Sequence, residues 1–150
     1  MPLIKVSWGS LDVLVIDMPP GTGDVHLSVS QHVKLAGSVV VSTPQDLALI
    51  DARRAIHMFA KLGVPSLGLV QNMSSYVCTK CGHEEHLFGQ EGVRRLAAEL
   101  DCELLGSIPL NGELREASDL GRPLVIEKEA HPVALAYREI CDKIVKKLNF

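Results

Sequence analysis

Two groups of residues in this 150-residue chain have the types and the spacing to do chemistry. The first is the string Asp-Met-Pro-Pro-Gly-Thr-Gly-Asp at residues 17–24, which follows an apolar run. The carboxylate of Asp17 could hold a water of hydrated Mg²⁺, because that ion takes only one or two protein carboxylates. Gly21 and Gly23 would let backbone N–H groups approach a phosphate closely. An ordinary β-turn with an exposed aspartate is the alternative, since Pro-Gly is common in turns.

The second group is the pair Cys78 and Cys81, two thiols at the spacing used for zinc and for iron–sulfur clusters. A redox dithiol usually has its first cysteine at the start of a helix, but Gly82 and His83 do not begin one. With only His83 and His86 nearby, the chain does not complete a standard zinc site, whereas a two-fold dimer would supply two more thiolates. We favour a shared cluster over zinc and over a redox or free pair.

The sequence lacks a motif that would be expected together with the first group. No Gly-x-x-x-x-Gly-Lys-[Ser/Thr] loop, which cradles nucleotide phosphates, occurs in the 150 residues. Without those backbone amides and that lysine, we expect ATP to bind poorly and hydrolysis to be lost.

The composition narrows the class of protein. Hydrophobic residues make up 47% of the chain but aromatic residues only 4%, which favours an aliphatic core around a sheet covered on both faces. The net charge of −3 gives no support for nucleic-acid binding. No apolar run approaches the roughly 20 residues that span a bilayer, so we expect a soluble protein. Four cysteines are too few for a disulfide scaffold and suit a reducing compartment.

Apolar runs alternate with helical patterns, which predicts a single α/β domain over residues 1–150 with a doubly wound, mostly parallel sheet. Thr43 is predicted to cap a helix that has Pro44 at its first position and ends at Gly63. Residues 74–89 lack periodicity and form a predicted functional loop that carries both cysteines. Strands are predicted at 11–16, 38–42, 66–70 and 103–108, and further helices at 91–100 and 132–148.

Three candidate residues each follow a predicted strand: Asp17, Asn72 and Pro109. Since the carboxyl ends of parallel strands meet at one edge of a sheet, we expect these residues to converge on a ligand crevice. The amide of Asn72 offers both a donor and an acceptor to the edge of a base. Capping of the following turn is the alternative role for that side chain.

These motifs together resemble the Mrp/ApbC family of ATP-dependent iron–sulfur cluster carriers, which are deviant-P-loop ATPases. The resemblance covers nearly the whole chain but only the C-terminal part of a family member, so the fold is expected to be incomplete at its N-terminus. Residues 23–31 are most similar to the mitochondrial nucleotide-binding-protein-like branch, which delivers clusters to respiratory complex I. The matching segments are Trp8-Gly9-x-Leu11-Asp12, residues 17–24, Ser42-Thr43-Pro44-Gln45-Asp46, Gln71-Asn72-Met73-Ser74, Cys78 and Cys81 with His86-x-Phe88-Gly89, and Gly106-x-Ile108-Pro109-Leu110 with Leu114-Arg115-Glu116.

The resemblance implies roles for the candidate residues and a setting for the protein. Asp17 would serve Mg²⁺, Gly21 the γ-phosphate of ATP, and Asn72 with the segment around Pro109 the adenine. Cys78 and Cys81 would bind a [4Fe–4S] cluster that bridges a homodimer and passes to recipient apoproteins, complex I subunits among them. The implied location is the mitochondrial matrix, with the cytoplasm as the alternative.

Two departures from the family pattern qualify these expectations. Thr79 stands where the family usually has proline, which we expect to loosen the loop without removing a ligand. The missing phosphate loop also removes a strand that is expected to lie centrally in the sheet. A non-catalytic dimer module, bridged by zinc or a cluster and without ATPase activity, is therefore the alternative function.

Overall fold

The structure, a computed structural model, describes residues 5–149. None of the helices in that range is both long and apolar enough to cross a bilayer. The elements, in chain order, are α1 (Asp24–His32), β1 (Ser38–Ser42), α2 (Asp46–Lys61), β2 (Ser66–Val77), β3 (Glu84–Glu85), α3 (Gly92–Glu99), β4 (Leu104–Leu110), α4 (Gly112–Asp119), α5 (Leu124–Glu127) and α6 (Pro132–Leu148).

The sheet is centred on β2, which pairs in parallel with β1 on one side and with β4 on the other. The short β3 adds an antiparallel partner to the far end of β2. Because the three long strands are connected through helices and run in the same direction, the predicted α/β class with a mostly parallel sheet is confirmed.

Helices cover both faces of this sheet, as a doubly wound fold requires. Neighbouring residues of β2 alternate between the faces: Leu69 packs with α2 and α3, whereas Val70 packs with α5 and α6. The first cluster contains Val40, Ala52, Ile56, Leu69, Val93, Leu96 and Ala97. The second contains Val70, Leu105, Ile108, Leu124, Val133 and Ile140.

The third predicted strand is longer than the sequence suggested. β2 continues past residue 70 to Val77, so the predicted loop at 74–89 is wrong over its first four residues. β2 continues to pair with β4 beyond a bulge. Asn72 is opposite Ile108, and the next pair is Tyr76 with Leu110. Met73 lies in this bulge with a positive φ of 53°, which re-aims the backbone there.

The predicted strand at residues 11–16 is wrong. The segment has no regular secondary structure, and Leu11 and Val15 are 53% and 85% exposed. A parallel strand needs a hydrogen-bonded neighbour, and within residues 5–149 β1 pairs with β2 alone. Residues 12–21 instead line one wall of a cleft of about 1150 Å³ whose other wall includes β1.

The helix after β1 starts later than predicted. α2 begins at Asp46 with Gln45 as its N-cap, so Thr43 is not the cap and Pro44 is not the first helical residue. Thr43 Oγ1 instead donates to Oε1 of Gln45 at 3.4 Å. The predicted end is confirmed, because Gly63 follows the last turn with a φ of +71°.

The remaining predictions differ from the structure by a few residues or not at all. The predicted helix at 91–100 is α3, the predicted strand at 103–108 is β4, and the final helix has the predicted bounds. Three short helices, α1, α4 and α5, were not predicted. The sequence nevertheless holds a start signal for α4, since Asn111 Oδ1 accepts a hydrogen bond (2.9 Å) from the N–H of Leu114.

Candidate functional site

The carboxyl ends of the three parallel strands form one edge of the sheet. Gln71 of β2 lies opposite Ser42 of β1 and Ser107 of β4, which aligns the strands at this edge. Asn72 lies opposite Ile108, the residue before Pro109. The expected meeting of Asn72 and Pro109 therefore occurs, because parallel pairing of β2 and β4 brings both residues to the same level.

The hydrogen bonding of Asn72 restricts what its side chain can offer. Its Oδ1 accepts from the backbone N–H of Met73 at 2.9 Å, which also fixes the orientation of the amide. The half-buried side chain thus caps the local bulge and keeps its Nδ2 as a donor. Capping, the alternative role for this side chain, is therefore present in the structure, and Oδ1 keeps a second lone pair.

Asp17 and Gly21 line the cleft together with Ser42 and Thr43. Asp17 is exposed, and Gly21 has a φ of +90° with open space where a side chain would be. Gly23 is the extended N-cap of α1. An exposed carboxylate beside open backbone fits the magnesium and phosphate end of a nucleotide. Ser42 connects this region with the Asn72 region, because it lines the cleft and pairs with Gln71.

Cys78 and Cys81 occupy the tip of a β-hairpin. Its arms are the end of β2 and the short β3, in which Tyr76 and Val77 pair with Glu85 and Glu84. The N–H of Cys78 donates to the carbonyl of His83 (2.9 Å), and the N–H of Gly82 donates to the carbonyl of Cys78 (2.9 Å). The predicted loop is therefore a hairpin, with the two cysteines held in its turn.

The turn favours the thiolate form of the first cysteine. Hydrogen bonds from the backbone N–H of Lys80, and then from the backbone and side chain of Cys81, lower the pKa of the Cys78 thiol. Cys78 is half-buried, Cys81 is exposed, and neither forms a disulfide. A thiolate that accepts backbone hydrogen bonds is the form that binds zinc or iron.

The nearby histidines do not join the cysteines. Nδ1 of His86 is hydrogen-bonded to the carbonyl of Ser74 at 2.8 Å, which ties the returning chain to β2. His83 is exposed in the hairpin turn. Between residues 5 and 149, no group of three or more His, Cys, Asp and Glu side chains is arranged to hold a metal ion.

Two buried polar residues near the site were not singled out from the sequence. Gln71 donates from Nε2 to the carbonyl of Gln90 at 3.4 Å. His26 lies in α1 with its ring at an edge-on angle to Phe59, and its Nδ1 has no partner among the described residues. His26 and Val29 share the buried face of α1, and their spacing of three residues was a signal for that helix.

Comparison with known proteins agrees with this architecture. A family model described as "ParA: NUBPL iron-transfer P-loop NTPase" matches residues 2–145. The mouse iron-sulfur cluster transfer protein NUBPL is 53% identical over 98% of the chain. The Arabidopsis thaliana iron-sulfur protein required for NADH dehydrogenase, mitochondrial, is 52% identical over 96% of the chain. The chain spans 46% of the length of each of these two relatives.

A solved structure is also similar to this chain. The nucleotide-binding protein of Archaeoglobus fulgidus in complex with ADP has a TM-score of 0.68 and 43% identity, over 77% of this chain and 47% of that one. The resemblance found in the sequence is thereby confirmed, and the chain belongs to the NUBPL iron-transfer P-loop NTPase family.

Proposed function

We propose that this chain is the cluster-holding part of an iron–sulfur carrier. Cys78 and Cys81 of two copies hold a [4Fe–4S] cluster between them, and the cluster is cargo that passes to recipient apoproteins. The observation that carries the proposal is the hairpin turn, in which backbone N–H groups and Cys81 stabilise the Cys78 thiolate. The mouse relative's name, which describes cluster transfer, gives independent support.

The proposal includes nucleotide control in the whole protein, with residues 1–150 acting as one domain. Asp17 holds a water of Mg²⁺, the backbone at Gly21 and Gly23 faces the phosphates, and Asn72 with Pro109 receives the base. The archaeal relative with bound ADP supports a nucleotide site on this fold. ATP, when bound, supplies the free energy that changes how firmly the cluster is held. The chain lacks a lysine-bearing phosphate loop and is therefore expected to be inactive by itself.

The names of the relatives support a proposal for the recipients and the location. We propose apoproteins that need iron–sulfur clusters, with subunits of respiratory complex I among them, because the plant relative is required for NADH dehydrogenase. The same relative is named as mitochondrial, which favours the mitochondrial matrix over the cytoplasm.

The alternative is a dimer module bridged by zinc or a cluster, without ATPase activity. It needs only the cysteine hairpin, whose turn holds both thiols. The two functions share the cysteine hairpin and differ in the nucleotide chemistry.

Anaerobic reconstitution with iron and sulfide tests the cluster. We expect broad visible absorption and about four irons per dimer, as a four-thiolate [4Fe–4S] site requires. Cys78→Ala or Cys81→Ala should abolish both, while Cys141→Ala, which removes an exposed thiol on α6, should leave them unchanged. Uptake of one zinc per monomer with no response to iron would contradict the cluster.

Mg-ATP hydrolysis distinguishes the nucleotide-controlled carrier from the dimer module. The chain alone should show no measurable turnover, whereas the chain joined to the upstream half of the mouse relative should recover it. In that longer protein Asp17→Asn should cut the rate sharply, because the Mg²⁺ water loses its carboxylate. Asp101→Asn is the matched control, since asparagine tolerates the positive φ of 50° at that position. Equal turnover by the short and the long protein would contradict the assignment of the site.

A further inference from the structure

The chain that returns from the cysteine hairpin runs over the carboxyl ends of β1 and β2. We call residues 86–92 the return arm, since they lead from β3 to the start of α3. The arm is held by two hydrogen bonds to β2: His86 Nδ1 with the carbonyl of Ser74 (2.8 Å), and Gln71 Nε2 with the carbonyl of Gln90 (3.4 Å). Its position is therefore fixed by the edge of the sheet that carries Asn72.

The return arm also makes a backbone contact with the β1–α2 turn, residues 43–45. A Cβ atom placed on Gly92 would lie 2.2 Å from the carbonyl oxygen of Pro44 and 2.8 Å from Cδ1 of Leu49. No side chain fits in that space, so glycine is required at position 92 by close approach and not by backbone conformation. Gly89 lies beside the same proline, where an added Cβ would be 3.9 Å from Pro44 Cβ.

The β1–α2 turn thus has a neighbour on each side. Thr43 lines the cleft together with Asp17 and Gly21, whereas Pro44 is buried against the return arm. A tightly packed contact of this kind transmits displacement, because close-packed atoms have little room to absorb it.

We propose that the β1–α2 turn positions the cysteine hairpin through the return arm, and that Gly92 and Gln71 are positioning residues for Cys78 and Cys81. The turn is then the physical link between residues 17–24, which we call the Asp17 loop, and the metal-binding hairpin. This inference rests on the proposed function, because it requires that the two cysteines bind metal.

A pair of glycine variants tests the contact, with Co²⁺ as the metal probe. Gly92 and Gly112 are the first residues of α3 and α4, which have eight residues each. A Cβ on Gly112 meets nothing within 4 Å, so Gly112→Ala is a matched control for the change in helix propensity. We expect Gly92→Ala to weaken Co²⁺ binding at least about 10-fold, the effect typical of groups that orient metal ligands, and Gly112→Ala to leave it unchanged.

The readout is the thiolate-to-cobalt absorption, titrated to saturation and compared with the thermal unfolding midpoint of each variant. At saturating Co²⁺ the shape of the spectrum reports the arrangement of the thiolates, which a general loss of stability does not alter. We expect a changed spectrum for Gly92→Ala and an unchanged one for Gly112→Ala. If Gly92→Ala does not fold, Gln71→Met provides the test. This variant removes the donor to Gln90, and we expect it to change the same spectrum.

Equal affinities and spectra for Gly92→Ala and Gly112→Ala would overturn the inference, as would an unchanged spectrum of Gln71→Met. Failure of the unaltered chain to show any thiolate-to-cobalt absorption is a different result, because it would contradict the proposed function itself.

Discussion

The cysteine hairpin and the Asp17 loop both follow an apolar run, but only one of the two runs forms a strand. The run before the hairpin is β2, which has β1 and β4 as hydrogen-bonded neighbours on its two sides. The run before Asp17, residues 11–16, has no strand neighbour in the described structure. Leu69 in β2 is fully buried, whereas Val15 is 85% exposed. The residues of a motif indicate its chemistry, but its position depends on the neighbours of the strand that carries it.

Amide hydrogen exchange should give the largest difference between these regions. Opening free energies within one protein range from near zero in unpaired segments to the global value in a paired central strand. We therefore expect the amides at residues 69–72 to exchange at least about 1,000-fold more slowly than those at 11–16. Mass spectrometry of peptides from a monomeric sample measures both. Equal protection would mean that residues 11–16 have found a strand partner in solution.

The features that the sequence predicted correctly depend on contacts that are local or that repeat regularly along the chain. The bounds of β1 and α6 were predicted because an apolar run and a proline at the helix start are local signals. Parallel pairing also brought Asn72 to Pro109 as expected. The hairpin arm at the end of β2 and the bond from Gln71 to Gln90 were not predictable, because they depend on how the chain returns after residue 83.

Two leucine substitutions should show that β2 and residues 11–16 contribute unequally to the free energy of unfolding. Leu69 has no exposed surface, and Leu69→Ala should leave a cavity that lowers the free energy of unfolding by about 3 kcal/mol. Leu11 is 53% exposed, so Leu11→Ala should change it by less than about 0.5 kcal/mol. Urea denaturation followed by circular dichroism measures the two values. A comparable loss from Leu11→Ala would mean that this side chain is packed in the core.

The smallest expected effect concerns the turn of the hairpin itself, where backbone hydrogen bonds lower the pKa of the Cys78 thiol. Because the N–H of Lys80 is the largest cause that lowers the pKa of Cys78, its thiolate should persist to lower pH than that of a free cysteine, whose pKa is about 8.5. The thiolate is the form that reacts with iodoacetamide, so the pH midpoint of alkylation at Cys78 should lie below that of an ordinary cysteine, and its reaction near neutral pH should be faster. Lys80→Pro removes the N–H donor and should raise the midpoint, while Lys80→Ala keeps the donor and should not. Peptide mass spectrometry across a pH series gives the midpoint for this one residue. If both variants raised it equally, the lysine charge and not the backbone would be responsible, and the turn would be less preorganised than its hydrogen bonds imply.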